Sequence, residues 1–422
     1  MMKKKYTVLL TVFLCLLCIA ITFQCTYTAM QRKLRLAEGQ NTSSPSAGED
    51  GTDDVYLTPA LLEKLKNIAE VYREYYVDEI DPDYFADMVM RGFVAGTEDQ
   101  FGQYLNKEET QEYLSEREGE FAGIGISVVY NAEWAALETI SVYAASPAET
   151  AGMRPGDLIV AVGEESVASL GYYGAVAGMR GAVGTTANFT VYRPDEAREI
   201  PFSIVRQTVE EVTVNWHFYS DSSHKMAVVR ILGFNAKTPA QFSEAIGAAK
   251  EQGAEGFLFD LRSNPGGNLD AICEILDILL PEGPIIRIDY KGEENDKQIN
   301  SDAACLGMPM TVLVDGSTAS AAELFSSALQ DYKLAKVVGT QTYGKGTMQS
   351  LVPLADGSVV SLTVAYYLPP FSENYHGKGV TPDVISEQPE EEKAINLNKL
   401  TDANDSQLRD AARVLREAIE AR

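Results

Sequence analysis

From Lys225 to Val338 the chain repeats one pattern: a short apolar run, a loop rich in Gly, Asn or Ser, then a segment with apolar residues at helical spacing. Strands are expected at Lys225–Leu232, Gly256–Leu261, Met310–Val314 and Ala335–Val338, with helices at Pro239–Glu251, Leu269–Leu280 and Ala321–Asp331. Strands that alternate with helices in this way pair in parallel, because each helix returns the chain to the same end of the sheet. This alternation restricts the region to an α/β core, and the other segments of the 422-residue chain must be arranged around it. At roughly 100–200 residues per domain, two to four units are expected.

The flanking segments have different textures. Lys3, Lys4 and Lys5 precede an apolar run from Tyr6 to Phe23, and Arg32, Lys33 and Arg35 follow it. A helix of about 20 apolar residues spans a bilayer, so the run predicts a transmembrane signal anchor. No small-x-small cleavage site precedes Met30 and no lipobox precedes Cys25, which favours an uncleaved anchor. With the N-terminus inside, the bulk of the chain lies outside the cell membrane as a single-pass protein. Asn41–Asp54 is small, polar and acidic, the composition of a tether. Apolar residues then recur at helical spacing from Thr58 to about Arg117. From Phe121 to about Arg206, short β-rich runs alternate with Gly and Pro turns, predicting a compact β-rich unit of about 90 residues. Asp356-Gly357 between two apolar runs is a hairpin signal, and Ser406–Ala421 is an amphipathic helix with Leu408, Leu415 and Ile419 on one face.

Charge and cysteine content narrow the function. There are 61 acidic against 35 basic residues, and all acidic residues lie beyond position 36. Such a surface repels phosphate backbones, so no nucleic acid partner is expected. Only Cys273 and Cys305 fall in the folded part, which is no disulfide framework. No metal and no cofactor is expected.

Three loops follow core strands, where ligands of open α/β sheets bind. Arg262-Ser-Asn-Pro-Gly-Gly-Asn268 carries two adjacent glycines that let backbone N–H groups approach a ligand. Asp315-Gly-Ser-Thr-Ala-Ser320 runs into a helix; a serine there is exposed beside an N–H placed for an oxyanion, although serine at a helix start is commonly just an N-cap. Thr342-Tyr-Gly-Lys-Gly346 holds a lysine between glycines, and a desolvated lysine there could take a proton from a hydroxyl. Histidine is the other candidate base, but His217, His224 and His376 do not lie in loops of this kind.

These loops carry a resemblance. Asp260-Leu-Arg-Ser-Asn-Pro-Gly-Gly267, Gly316-Ser-Thr-Ala-Ser-Ala-Ala-Glu323, Val338-Gly-Thr-Gln-Thr-Tyr-Gly-Lys-Gly-Thr-Met-Gln349 and Gly377-Lys-Gly-Val-Thr-Pro-Asp-Val384 resemble, in order and interval, the carboxyl-terminal processing (tail-specific) proteases. These are serine peptidases with a Ser-Lys dyad and an inserted PDZ domain. By that resemblance Ser320 is the nucleophile, Lys345 the general base and Gln349 the residue that orients the lysine, with Ala321 and Gly266 or Gly267 forming the oxyanion hole. Ser317 is the competing nucleophile, but its spacing to Lys345 does not fit. Asp260, Arg262 and Glu323 are read as structural ion-pair partners near the site.

The β-rich unit resembles a PDZ domain through Gly123-Ile-Gly-Ile126 and Ser146-Pro-Ala-Glu-Thr-Ala-Gly-Met-Arg-Pro-Gly-Asp-Leu-Ile159. The resemblance implies that Gly123, Ile124, Gly125 and Ile126 bind a chain-terminal carboxylate while the peptide adds as a strand. Arg180 matches an arginine that couples the PDZ domain to the active site. Gly96-Thr-Glu-Asp-Gln-Phe-Gly-Gln-Tyr104 replaces the family's Asp-Pro-Tyr-Ser type of turn, which puts a dimer-forming role of the preceding helices in doubt. The implied architecture is α/β: anchor (1–36), acidic linker (37–57), helical region (58–117), PDZ domain (118–207), crotonase-like peptidase core (208–388) and C-terminal helix (389–422). The implied function is a membrane-anchored serine endopeptidase cleaving extracytoplasmic protein or peptide substrates near tails that its PDZ domain binds and uses for gating, and a homo-oligomer is compatible with it. The alternative is a catalytically silent PDZ scaffold that binds protein C-termini at the membrane.

Overall fold

A computed structural model describes residues 57–220, 223–291, 297–302, 305–393, 395 and 397–422. The anticipated anchor and tether lie outside the described residues. Among the described residues no helix is long and apolar enough to cross a membrane. The chain divides into two compact units, up to Ile80 and from Asp81 onward. In the first, Thr58 caps the helix Pro59–Tyr75 by accepting the Leu61 N–H at 3.2 Å, with proline at its first position.

The second unit is built on a six-stranded sheet ordered 214–218, 226–231, 256–260, 310–314, 335–339 and 384–385. The first pair is antiparallel and every later pair parallel. The anticipated strands and helices are present, each within one residue of its expected bounds. Strands Gly256–Asp260 and Met310–Val314 are buried along their whole length, which explains their unbroken apolar sequences. Side chains of a strand alternate between faces. Phe257, Phe259, Val312, Val314 and Val337 therefore pack under helices Thr238–Glu251, Leu269–Leu279 and Ala321–Asp331. Met226, Val228, Leu258, Leu313 and Val338 face the C-terminal helix Ser406–Glu420 through its Leu408, Ala411 and Leu415. Phe259 lies at the centre of the first layer, with ring centroids of Phe325, Phe242 and Phe257 at 5.2, 5.7 and 6.1 Å. Phe259→Ala is expected to cost roughly 3–5 kcal/mol in urea unfolding; a loss under about 1 kcal/mol would contradict this packing.

The C-terminal helix is fastened by a buried ion network. Arg262 reaches Asp260 at 2.8 Å and, 143 positions away, Asp405 at 2.7 Å. The role anticipated for Asp260 and Arg262 is the one observed.

A second sheet contains strands Gln103–Leu105, Val359–Leu368, Gly283–Tyr290 and Lys297–Ser301, with Thr347–Pro353 also paired to Val359–Leu368. The hairpin signalled by Asp356-Gly357 joins the last two, with Gly357 at φ +92°. The β-rich unit forms its own sheet of 126–131, 136–142, 158–162, 186–193 and 198–205, packed on helix Val167–Met179 around Leu137, Ile159 and Val191. Strand Glu120–Gly123 leads into it and pairs antiparallel with Gln207–Glu210 leading out, so both ends of the insert meet at one stem. Cys273 is buried, Cys305 is exposed, and neither is bridged.

Candidate active site

The three loops of interest emerge from the carboxyl ends of the parallel strands 256–260, 310–314 and 335–339, and their positions follow from strand direction alone. Ser320 stands directly before helix Ala321–Asp331 at φ 56°, ψ −120°. A non-glycine residue in this region stores about 1–3 kcal/mol of strain. The contact of its hydroxyl is not with the helix end but with the hydroxyl of Tyr367 at 3.3 Å. The Tyr367 proton is committed to the Lys345 carbonyl at 2.6 Å, so the phenol oxygen is left to accept from Ser320. Burial pushes the Tyr367 hydroxyl well above its ordinary range and keeps it protonated. Ser317, by contrast, is exposed and donates its N–H to Asp315.

Glu323, one turn into the helix and 0% exposed, connects the serine loop to the lysine loop. One carboxylate oxygen accepts Thr342 Oγ1 at 2.6 Å and Gly344 N–H at 2.7 Å; the other accepts Ser320 N–H and Lys345 N–H, both at 2.8 Å. This corrects the reading of Glu323 as an ion-pair partner: its four partners are N–H and O–H donors, and no cation pairs with it among the described residues. Gly344 has φ +92°, and a Cβ there would approach Gly379 N to 2.9 Å, so the loop requires glycine at that position.

Burial pulls the half-buried Lys345 amine below the ordinary lysine range, with the Asp99 carboxylate partly opposing this. Its Nζ lies 4.6 Å from the Phe101 ring centroid, and no hydrogen bond joins it to Ser320 or Gln349 among the described residues. Gln349 instead donates to Thr347 Oγ1 and Thr363 Oγ1 at 3.2 and 3.1 Å. Thr363 in turn donates its N–H and hydroxyl to Asp99 at 2.7 and 2.8 Å. Neither Asp99 nor Phe101 was anticipated at the site, because both lie on the Gly96–Tyr104 turn, far from the serine and lysine loops in sequence. The available signal was that turn's departure from the family pattern.

Gly266 and Gly267 differ in what they offer. Gly266 donates its N–H to Asn264 Oδ1 at 2.8 Å, whereas the N–H groups of Gly267 and Ala321 have no acceptor among the described residues. Gly266, at φ +100°, lets the loop pass so close that a Cβ would sit 2.7 Å from Ser320 Cβ. In the β-rich unit, Ile124 is buried, and Gly125 at φ +81° lies against Ser146, leaving no room for a side chain. Gly123 closes the stem strand, and Ile126 opens strand 126–131 against Val142. One cleft of about 1280 Å³ is lined by Gly123–Ile126, Arg180, Gly266, Gly267, Ser320, Ala321, Lys345 and Gln349. Among the described residues no group of three or more His, Cys, Asp or Glu side chains is placed to hold a metal ion.

Comparison with known proteins places these features in a family. Residues 225–386 match peptidase family S41 and residues 139–193 match a PDZ domain. A carboxyl-terminal-processing protease of Synechocystis sp. (strain ATCC 27184 / PCC 6803 / Kazusa) is 33% identical over 326 residues, which are 76% of this chain and 75% of that protein. A CtpA-like serine protease of Staphylococcus aureus (strain MSSA476) is 31% identical over 333 residues; these cover 78% of this chain but 66% of that relative, just short of two thirds of its length. A solved structure from Bacteroides fragilis NCTC 9343 shares the fold with a TM-score of 0.54 at 17% identity, covering 89% of this chain and 99% of that one.

Proposed function

Because the chain belongs to the carboxyl-terminal processing serine proteases of peptidase family S41, we propose that it is an endopeptidase that cleaves proteins near their C-termini through an acyl-enzyme on Ser320. The observation that carries this reading is the single cleft joining the Gly123–Ile126 loop to Ser320 and a desolvated Lys345. A substrate tail enters with its terminal carboxylate on the backbone N–H groups of that loop and extends along strand 126–131. The Lys345 amine, neutral and moved from Phe101 to Ser320, takes the hydroxyl proton as Oγ bonds to the scissile carbonyl carbon. The oxyanion is received by the N–H groups of Ala321 and Gly267, which are free to donate, and not by that of Gly266, which Asn264 occupies. The ammonium then returns the proton to the leaving amine, and water releases the acyl group by the reverse path. Gln349 orients the amine in the engaged state, and Arg180, lining the same cleft, couples tail binding to that engagement. The N-terminal apolar run anchors the enzyme with this cleft on the extracytoplasmic side.

The test uses two versions of one unstructured protein substrate, one ending in a free carboxylate and the other amidated. The free-carboxylate substrate is expected to be cleaved with about tenfold or greater preference in kcat/KM, since a lost charge-assisted contact of 1.5–3 kcal/mol corresponds to about that factor. Equal cleavage removes the tail-recognition step, and capture of the free tail without any cleavage leaves the scaffold reading in its place. The lack of a hydrogen bond between Lys345 and Ser320 among the described residues is the observation that favours the scaffold reading, and in the protease it corresponds to a resting state.

A further inference from the structure

The Gly96–Tyr104 turn enters the active site at two points. Asp99 accepts both donors of Thr363, whose hydroxyl in turn accepts the Gln349 amide. Two residues further, the Phe101 ring covers the Lys345 amine at 4.6 Å. The turn is held to the sheet because strand Gln103–Leu105 pairs with Ser361–Val359, adjacent to Thr363. Gln349 is brought opposite Thr363 by a register shift after Met348. A carboxylate serving only to close its own turn would be satisfied by the Phe101 N–H it also accepts at 3.1 Å. Asp99 reaches instead across 264 positions to the strand that supports the catalytic glutamine.

We propose that Asp99 is a positioning residue of this catalytic centre: through Thr363 it orients Gln349, and on the turn that carries Phe101 it holds the amine of Lys345 in its resting place. The proposal rests on the protease reading, in which Lys345 must be neutral to act. Other ionisable groups lie on the elements next to Lys345 and Phe101: Glu323 on the serine helix, Tyr366 and Tyr367 on strand 359–368, and His376 beside Phe101. Glu323 accepts the lysine's backbone N–H and Tyr367 donates to its carbonyl, while the His376 ring centroid lies 6.3 Å from that of Phe101 and 5.6 Å from that of Tyr366. Asp99 is the group whose charge favours the protonated amine against its burial. Partial burial raises the Asp99 carboxyl, but the Thr363, Phe101 and Gly102 donors outweigh it and hold it below the ordinary carboxylate range, so Asp99 is anionic wherever the enzyme works.

Removing the Asp99 charge destabilises the ammonium, so the neutral amine persists to lower pH and the acid limb of the rate profile moves down. Losing the Thr363 anchor misorients Gln349 and lowers the plateau without moving that limb. The experiment measures kcat and KM of the full-length enzyme in detergent on a tail-bearing peptide from pH 6 to 10.5, comparing wild type with Asp99→Asn and Thr363→Val. For Asp99→Asn the plateau kcat is expected to fall about tenfold with KM within about twofold, and the acid-limb midpoint to fall by roughly half a pH unit or more. For Thr363→Val a similar plateau loss is expected with the midpoint in place. A cleaving wild type whose acid limb is unmoved by Asp99→Asn, or a loss carried by KM, overturns this proposal alone. A wild type that cleaves at no pH overturns the protease reading and this proposal with it.

Discussion

Lys345→Ala is expected to lower kcat/KM on a tail-bearing substrate by about 10⁴-fold, a size typical of losing one member of a nucleophile–base unit. Ser320→Ala should be equally silent, and the double variant no worse, because groups that act as a unit do not contribute additively. Affinity for the tail should persist in all three, since the Gly123–Ile126 loop belongs to different elements of the cleft lining than Ser320 and Lys345. Arginine should not rescue position 345, because a guanidinium keeps its proton throughout the working range. In the wild type, burial pulls the amine below the ordinary lysine range, and the proposed role as base needs the neutral form. The rate should therefore rise with pH through a midpoint below the unperturbed value of about 10.4. Unchanged cleavage by Lys345→Ala would eliminate the dyad, and a midpoint at or above the ordinary value would remove desolvation as its cause.

Glu323→Gln is the second large effect, in a residue with no exposed surface. The carboxylate offers two oxygens to four donors: Ser320 N–H, Lys345 N–H, Gly344 N–H and the Thr342 hydroxyl. Glutamine has the same shape but one acceptor oxygen, and its amide NH2 must then face one pair of donors, either the Ser320 and Lys345 N–H groups or the Gly344 N–H and the Thr342 hydroxyl. Each buried donor left unpaired costs about 1–3 kcal/mol, so urea unfolding should show a loss of about 2–4 kcal/mol. The two loops would also drift apart, and misplacement by about 1 Å costs about 10²-fold in rate. Thr342→Val removes only one of the four donors and should lose less in both measurements. If Glu323→Gln stays within twofold of wild-type kcat/KM, the carboxylate is a bystander.

How far the sequence could be read depended on how local the governing physics was. The parallel core strands announced themselves because a strand buried on both faces is apolar without interruption, as in Gly256–Asp260 and Met310–Val314. The hairpin at Asp356-Gly357 was legible because a left-handed turn needs a residue such as glycine, and Gly357 has φ +92°. Ser320, Lys345 and Gln349 were singled out by motif and interval, and all three line one cleft. Glu323 was misread because a buried carboxylate suggests a cation, while its actual partners are largely backbone N–H groups that no side-chain pattern displays. The choice between Gly266 and Gly267 was open for a similar reason: it depends on where the Asn264 amide turns.

The amino-acid order by itself determined the strand–helix alternation, the glycines where a Cβ has no room, and the residue types needed for nucleophile and base, because these follow from periodicity and steric limits within a few positions. Only the tertiary structure decided that Asp405 would close the Arg262 network, that Asp99 would reach Thr363 and that Phe101 would reach Lys345. Those contacts span more than a hundred positions, and their partners are chosen by how separate elements pack, which no local pattern encodes.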